Sequence, residues 1–346
     1  MKVHGLGSTK PHIAAPLGGP GRVPGRRSHL LTRVSSTYAQ GINEAKYREA
    51  ERRLWQSVGR TPTEQQIALS RIGTRVRVQE VGEGPPVLFV HGGPNSGSTW
   101  APLVEHLGGL RCLLLDRPGT GLSESIGLRA SGLVEFASSL VADVLDALEL
   151  ERAHVVASSL GGYCALWSAT ADADRFDRMV QMACPALLPD QEIPKFMKAI
   201  MLPGVRKVIA ALPPNKKSEE SIMRQIGHGA SIDAGLLPEA HGEWYAALQR
   251  YTDTMRNDFD LIHSLKAKGG FDQTVVLGAD TLAKVTTPTH FIWGADDTFG
   301  GTEVANWTVA AMPNATVEIR TDSGHLPWLD APASVAEATQ AFLLDS

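Results

Sequence analysis

The hexapeptide Ala157-Ser158-Ser159-Leu160-Gly161-Gly162 joins an apolar run, His154-Val155-Val156-Ala157, to a helix-periodic stretch from Leu160 to Ala169. A serine on a sharp strand-to-helix turn sits in a strained backbone conformation, and the residues two positions to either side must be small for strand and helix to pass. Ser159 meets that condition through Ala157 and Gly161, whereas Ser158 would need Val156 and Leu160 to be small. A serine held this way is a nucleophile once a neighbouring base takes its proton. The same letters also fit an ordinary helix start capped by Ser158 or Ser159.

Two further segments bear on that choice. Trp293-Gly294-Ala295-Asp296-Asp297 follows an apolar strand, and Asp322-Ser323-Gly324-His325-Leu326-Pro327 follows the next strand and precedes the last helix. Singly, an aspartate in a turn or a histidine in a loop is commonplace. Jointly they supply serine, carboxylate and imidazole, each just past a strand, which is the set needed for a base-activated nucleophile. Asp322 is a second candidate for the acid that orients His325, but its place ahead of the histidine reads as a turn cap.

These residues need a scaffold that brings strand ends together. Val87-Leu88-Phe89-Val90, Cys112-Leu113-Leu114-Leu115, His154 to Ala157, Met179-Val180-Gln181-Met182, Thr289-His290-Phe291-Ile292-Trp293 and Thr316-Val317-Glu318-Ile319 read as short strands. Helical periodicity falls between several of them, over Leu133–Leu150, Leu160–Ala169, Val304–Met312 and Ala331–Leu344. Continuous apolar strands alternating with amphipathic helices predict an α/β fold, a mostly parallel central sheet covered by helices on both faces. Two strands near Ile67–Leu69 and Val76–Val78, and a charged helix over 44–60, precede that block.

The alternation stops between Pro185 and Ala283, where helical stretches (Phe196–Ala211, Lys217–His228, Pro238–Lys266) appear without a strand. The expected organisation is therefore a tail at 1–43, a helix at 44–60, a core formed by 61–184 and 284–346, and a helical cap over 185–283. Trp244, Tyr245, Tyr251, Met255 and Phe259 could line a pocket under that cap, although helical spacing favours packing against the sheet. His228, His241 and the Lys216-Lys217 pair are candidate contacts for an acidic substrate, with a solvated surface the expectation for the lysines.

From Gly73 to Ser346 the chain resembles the α/β-hydrolase superfamily, in its branch with a helical cap. His91-Gly92-Gly93-Pro94 is similar to the family's HGxP oxyanion loop, and Asp116-Arg117-Pro118-Gly119-Thr120-Gly121-Leu122-Ser123 to its DxxGxGxS turn. Gly294–Asp297 matches GxxD, which selects Asp297 over Asp296, and Gly324–Pro327 matches GHxP. Ser…Asp…His is also the family's chain order. The resemblance implies Ser159 as nucleophile, His325 as general base and acid, and Asp297 as the residue fixing the imidazole tautomer. It implies an oxyanion hole made by the backbone N–H groups of Gly93 and Leu160, with the side chain at position 93 mattering less than the loop's shape. Asp116 and Arg117 are expected to hold the neighbouring turn, and His91 to hydrogen-bond within the oxyanion loop.

The expected activity is a serine hydrolase acting on a small, largely apolar ester, lactone or carbon–carbon bond, with no cofactor and no metal. A ligand sensor on the same fold and an acyltransferase or perhydrolase are the alternatives. Serine at the elbow disfavours haloalkane dehalogenases and epoxide hydrolases, which place aspartate there. Asn95 and Leu160 depart from the pattern of prolyl aminopeptidases.

Composition narrows the partners. The 346 residues include 33 basic and 37 acidic groups, net −4, which argues against nucleic acid as a partner. Residues 1–43 hold six of the basic groups and no acid, leaving 27 basic against 37 acidic beyond them, so the body carries −10. An acid-free, arginine-bearing head has transit-peptide composition, but its prolines and glycines would break the required helix, so a disordered tail is expected and its removal should spare catalysis. No window reaches the ~18 apolar residues of a membrane span. Cys112, Cys164 and Cys184 are widely spaced, with Cys112 read as a small core hydrophobe. A small-molecule substrate and a reducing, cytoplasmic setting are the expectation.

Overall fold

A computed structural model describes residues 43–345 except 190, 192, 203, 206–215 and 269. The tail at 1–42 and the second half of the Phe196–Ala211 stretch lie outside the described residues.

The short apolar runs form the middle of one eight-stranded sheet. Its strands are β1 (Thr63–Leu69), β2 (Thr74–Val81), β3 (Pro86–Val90), β4 (Arg111–Leu115), β5 (Ala153–Ser158), β6 (Phe176–Met182), β9 (Thr289–Gly294) and β10 (Ala315–Arg320). A separate two-residue hairpin pairs β7 (Lys266–Ala267) with β8 (Gly270–Phe271). Across the sheet the order is β1-β2-β4-β3-β5-β6-β9-β10. Only β1–β2 and β2–β4 pair antiparallel, and every other pair is parallel.

Both faces are covered, which is why β3 needs no polar alternation. Leu88 and Val90 join a core with α3 (Ala130–Ala147) and α4 (Ser159–Ala171). Val87 and Phe89 face the opposite core, built with α1 (Glu44–Ser57), α2 (Ala101–Val104) and the helix Pro332–Leu344. Successive strand side chains point to opposite faces, so a strand buried on both sides is apolar throughout. Cys112 is 2 % exposed in β4, and burial pushes its thiol up to about 12, as suits a core position.

The chain direction positions the site. β3 is flanked by β4 on one side and β5 on the other, so the connections after β3 and β5 leave in opposite directions. A crevice opens at such a switch point, beyond the carboxyl ends of the strands. The segments after β3, β5, β9 and β10 all emerge at that edge.

α1 is tied to two other parts of the molecule. Arg77 of β2, fully buried, donates to Glu51 of α1 through Nη2 at 2.6 Å and to Asp116 through Nε at 2.8 Å. Trp244 Nε1 donates to Tyr47 of α1 at 3.3 Å, and the Asn43 N–H donates to Tyr251 O at 3.1 Å.

Between β6 and β9 the described residues form α5 (Lys195–Ile200) and the helices Lys216–Gln225, Gly229–Asp233, Glu239–Tyr251 and Thr254–Ser264, together with the β7–β8 hairpin, which corrects the expectation that this stretch holds no strand. Periodicity predicts one stretch over Pro238–Lys266, but two helices form. Thr252 Oγ1 bonds back to Leu248 O at 2.7 Å and pairs with Thr254 Oγ1 at 2.8 Å, while Thr252 itself is extended. Threonine hydroxyls competing for backbone groups end the first helix there. Among the described residues no helix is long and apolar enough to cross a membrane.

Candidate active site

Ser159 is the first residue of α4 and has φ +52°, in the left-handed region. Such strain persists only where the surroundings over-determine it, and here they do. A Cβ on Gly161 would fall 2.0 Å from Val90 O and 2.5 Å from His91 O, so only glycine lets α4 leave β5 beside β3. Ser158 precedes the helix but makes no side-chain cap, and its buried Oγ has no hydrogen-bond partner among the described residues. The ordinary N-cap is therefore not the arrangement adopted.

Asp297 and His325 come together across 28 residues of chain. Asp297 Oδ2 lies 2.8 Å from His325 Nδ1, while Asp322 is exposed at its turn with φ +55°. The carboxylate is fixed by two backbone donors, Cys184 N–H to Oδ2 at 3.0 Å and Phe299 N–H to Oδ1 at 2.9 Å. An acceptor at Nδ1 places the ring proton there and leaves the Nε2 lone pair free. His325 is 5 % exposed, with the Phe299 ring centroid 4.3 Å from its own. No hydrogen bond joins Ser159 Oγ to His325 Nε2 in this conformation. Such bonds are often long before a substrate is bound. Asp297→Asn is expected to cut kcat about 10⁴-fold by favouring the wrong tautomer, with the melting temperature little changed; steady-state kinetics beside a thermal melt checks it.

The loop after β3 is fixed from below. His91 Nδ1 donates to Gly92 O at 2.6 Å, and its Nε2 accepts from Arg117 N–H at 3.2 Å. Burial, then Arg117, push the imidazole well below its ordinary pKa, so it is neutral and can make both bonds. Arg117 donates through Nε to His91 O at 2.9 Å and through Nη2 to Gly92 O at 3.0 Å. In a planar trans peptide, holding Gly92 C=O toward Arg117 turns the Gly93 N–H the opposite way. Neither that N–H nor the Leu160 N–H has a hydrogen-bond partner among the described residues. Gly92 packs on the serine, since a Cβ there would fall 2.8 Å from Ser159 Cβ.

The space beside position 93 is bounded by a side chain of the helix Thr254–Ser264. A Cβ at Gly93 would meet Asp258 Oδ2 at 2.6 Å, and that carboxylate in turn pairs with Arg117 Nη2 at 3.0 Å. Asp258 lies on the helix Thr254–Ser264, and no motif in the sequence marks it.

Over this edge is a cavity of about 1240 Å³ that reaches His325 and Gly93. Its wall is largely apolar, with Phe196, Met197, Ile222, Met223, Met255 and Phe259. Of the five aromatic and Met residues flagged by spacing, Tyr245, Tyr251, Met255 and Phe259 line it, whereas Trp244 is fully buried in the core. Of the two flagged histidines only His241 reaches the cavity wall. His228 is fully buried against Asp330, and burial first, then His228, lowers His241 to about 4. Lys217 is exposed, and nothing is described of the Lys216 side chain. Desolvation raises Glu219 on the wall to about 7.

The sequence profile of the alpha/beta hydrolase family matches residues 87–338. A 2-hydroxy-6-oxononadienedioate/2-hydroxy-6-oxononatrienedioate hydrolase of Cupriavidus pinatubonensis is 28 % identical over 260 residues, 72 % of this chain and 84 % of that protein. A 2-hydroxy-6-oxo-6-phenylhexa-2,4-dienoate hydrolase of Comamonas testosteroni is 28 % identical over 257 residues, again 72 % and 84 %. Among solved structures, a carboxylesterase of Bacillus subtilis superposes with a TM-score of 0.66 at 20 % identity, covering 88 % of this chain and 99 % of that one. That last likeness shows the fold alone.

Proposed function

The chain belongs to the alpha/beta hydrolase family, and within it we propose a serine hydrolase that cleaves a small, largely apolar ester, lactone or carbon–carbon bond beneath a cap formed by the helical insert over 185–283. Ser159 Oγ attacks the substrate carbonyl as His325 Nε2 takes its proton, and a covalent acyl-serine forms. His325 returns that proton to the leaving group, then activates water to release the acid. Asp297 holds the imidazole and stabilises its charged form. The N–H groups of Gly93 and Leu160 receive the oxyanion, each worth roughly 3–4 kcal/mol in the transition state.

The observation that carries this reading is the 2.8 Å Asp297–His325 contact at the same sheet edge as a left-handed serine. An alkyl fluorophosphonate is expected to label Ser159 of the folded protein and abolish turnover of p-nitrophenyl esters. Absence of labelling on folded protein would remove Ser159 as nucleophile. Carbon–carbon cleavage is the second reading, favoured by the named activities of the two relatives. The wall tells against their anionic substrates, since its lining carries Glu219, Glu220, Glu239 and Glu243 beside Arg250. Neutral esters, lactones and vinylogous diketones should therefore be turned over faster than carboxylate-bearing analogues.

A further inference from the structure

The two loops that carry Asp297 and His325 are held from above by the insert as well as from below by the sheet. The His325 N–H donates to Ile226 O at 2.9 Å, and the next N–H, of Leu326, donates to His228 Nε2 at 3.1 Å. Because Leu326 N–H can only donate, the His228 proton is on Nδ1, where it meets Asp330 Oδ1 at 2.7 Å. Asp330 then returns to the same loop from its other side. Its Oδ2 accepts from Ser323 Oγ and from Gly324 N–H, both at 2.9 Å, while Oδ1 also accepts from Ser231 Oγ.

The acid loop is gripped by the same turn. Thr298 Oγ1 donates to Gln225 O at 2.7 Å. Gly227, at φ +97°, packs so closely that a Cβ would lie 2.1 Å from Asp296 O and 2.9 Å from Gly324 Cα. The turn after the Lys216–Gln225 helix is thus wedged between both loops, glycine against glycine. His228 is fully buried, which excludes it as a substrate contact.

We propose that His228 and Asp330 are positioning residues, which through the turn Gln225–Ser231 hold the loops carrying His325 and Asp297 in register. This rests on the assignment of Ser159, Asp297 and His325 given above. The insert is therefore part of the catalytic scaffold on this side, and its Gln225–Ser231 turn stays seated when substrate enters. A packed shell of this kind matters because a displacement of about 1 Å at a reacting group costs on the order of 100-fold in rate.

The test uses the full chain, with fluorophosphonate labelling of wild-type Ser159 as control. His228→Phe fills the space and removes both hydrogen bonds. It is expected to lower kcat on p-nitrophenyl butyrate, and the inactivation rate constant of the phosphonate, about 10–100-fold, with KM within about twofold. His228→Gln, whose amide both donates and accepts, should return kcat to within about tenfold of wild type. Amide exchange over 322–329 should rise in the phenylalanine variant and fall back in the glutamine one.

Thr298→Val removes a single bond at an exposed position and covers the case in which His228→Phe fails to fold; about a fivefold loss of kcat at constant KM is expected. A raised KM with unchanged kcat would make His228 a substrate contact and overturn the proposal. So would unchanged kcat and exchange in both His228→Phe and Thr298→Val, or a loss in His228→Phe that glutamine leaves unrescued. If wild type is not labelled, the assignment of Ser159 fails, and the exchange data alone decide whether the turn holds the loop.

Discussion

Ser159→Ala is expected to lower kcat by on the order of 10⁶-fold, because nucleophile and base act as a unit. The variant should fold normally: alanine carries the same left-handed strain as serine at φ +52°, and among the described residues Ser159 Oγ forms no hydrogen bond that folding would miss. Ser159→Ala/His325→Ala should then be no worse than either single change, since each alone already abolishes the acyl-enzyme. The residual rate measures what the two N–H groups and the cavity contribute by themselves. Steady-state kinetics with a thermal melt on all three variants decides it. Retention of ester turnover within tenfold of wild type by Ser159→Ala, with the phosphonate attached elsewhere, would mean that another residue attacks.

Arg77→Met should produce the largest loss of stability. Removing the guanidinium strands two buried carboxylates, Glu51 and Asp116, and removing one side of a buried ion pair costs about 3–5 kcal/mol. The loss should depend on pH in a set direction. Burial raises the Asp116 carboxyl and Arg77 opposes it; Glu51 is also raised by burial, but there Arg77 prevails and holds it low. Without Arg77 both rise. A carboxyl whose folded pKa exceeds its unfolded value of about 4 is destabilising at neutral pH, and that penalty fades as pH falls through the folded value. Urea denaturation at pH 7 and pH 5 should show the gap between wild type and variant narrowing at the lower pH. A gap below about 1 kcal/mol, or one independent of pH, would mean that the pair is not what holds α1 to the sheet.

How far these features are legible in the letters depends on how far apart their causes lie along the chain. β3, β4 and β5 are short runs buried on both faces, so periodicity finds them. The elbow is equally local, since Ala157, Ser159 and Gly161 all act within one turn. Asp297 and His325 are separated by 28 residues, yet each is marked by its own strand and glycine. Arg77 is harder: in Val76-Arg77-Val78 it occupies the face that alternation assigns to solvent, and it is buried there among partners from distant elements, Glu51 of α1 and Asp116 after β4. Asp258 is harder still, because its partner Arg117 is 141 residues away and nothing near it signals a role. His228 announces itself as a histidine, but the groups that settle its tautomer, Asp330 and Leu326, are 102 and 98 residues off. The helix break at Thr252 turns on a hydroxyl that periodicity does not weigh.

The attachment of α1 has a consequence for the chain as it is being made. At 14 residues, α1 is near the lower limit of what holds as a helix alone in water. Its ion-pair partner Arg77 emerges 26 residues after Glu51, but Trp244, which bonds Tyr47, comes 197 residues later. At ~5–20 residues per second that interval is about 10–40 s. α1 is thus the first of the described elements to be synthesised and is completed late, with one side waiting on the helix Glu239–Tyr251. A nascent chain stopped before residue 244 would carry α1 joined to Arg77 of the sheet but still open on the side that Trp244 closes.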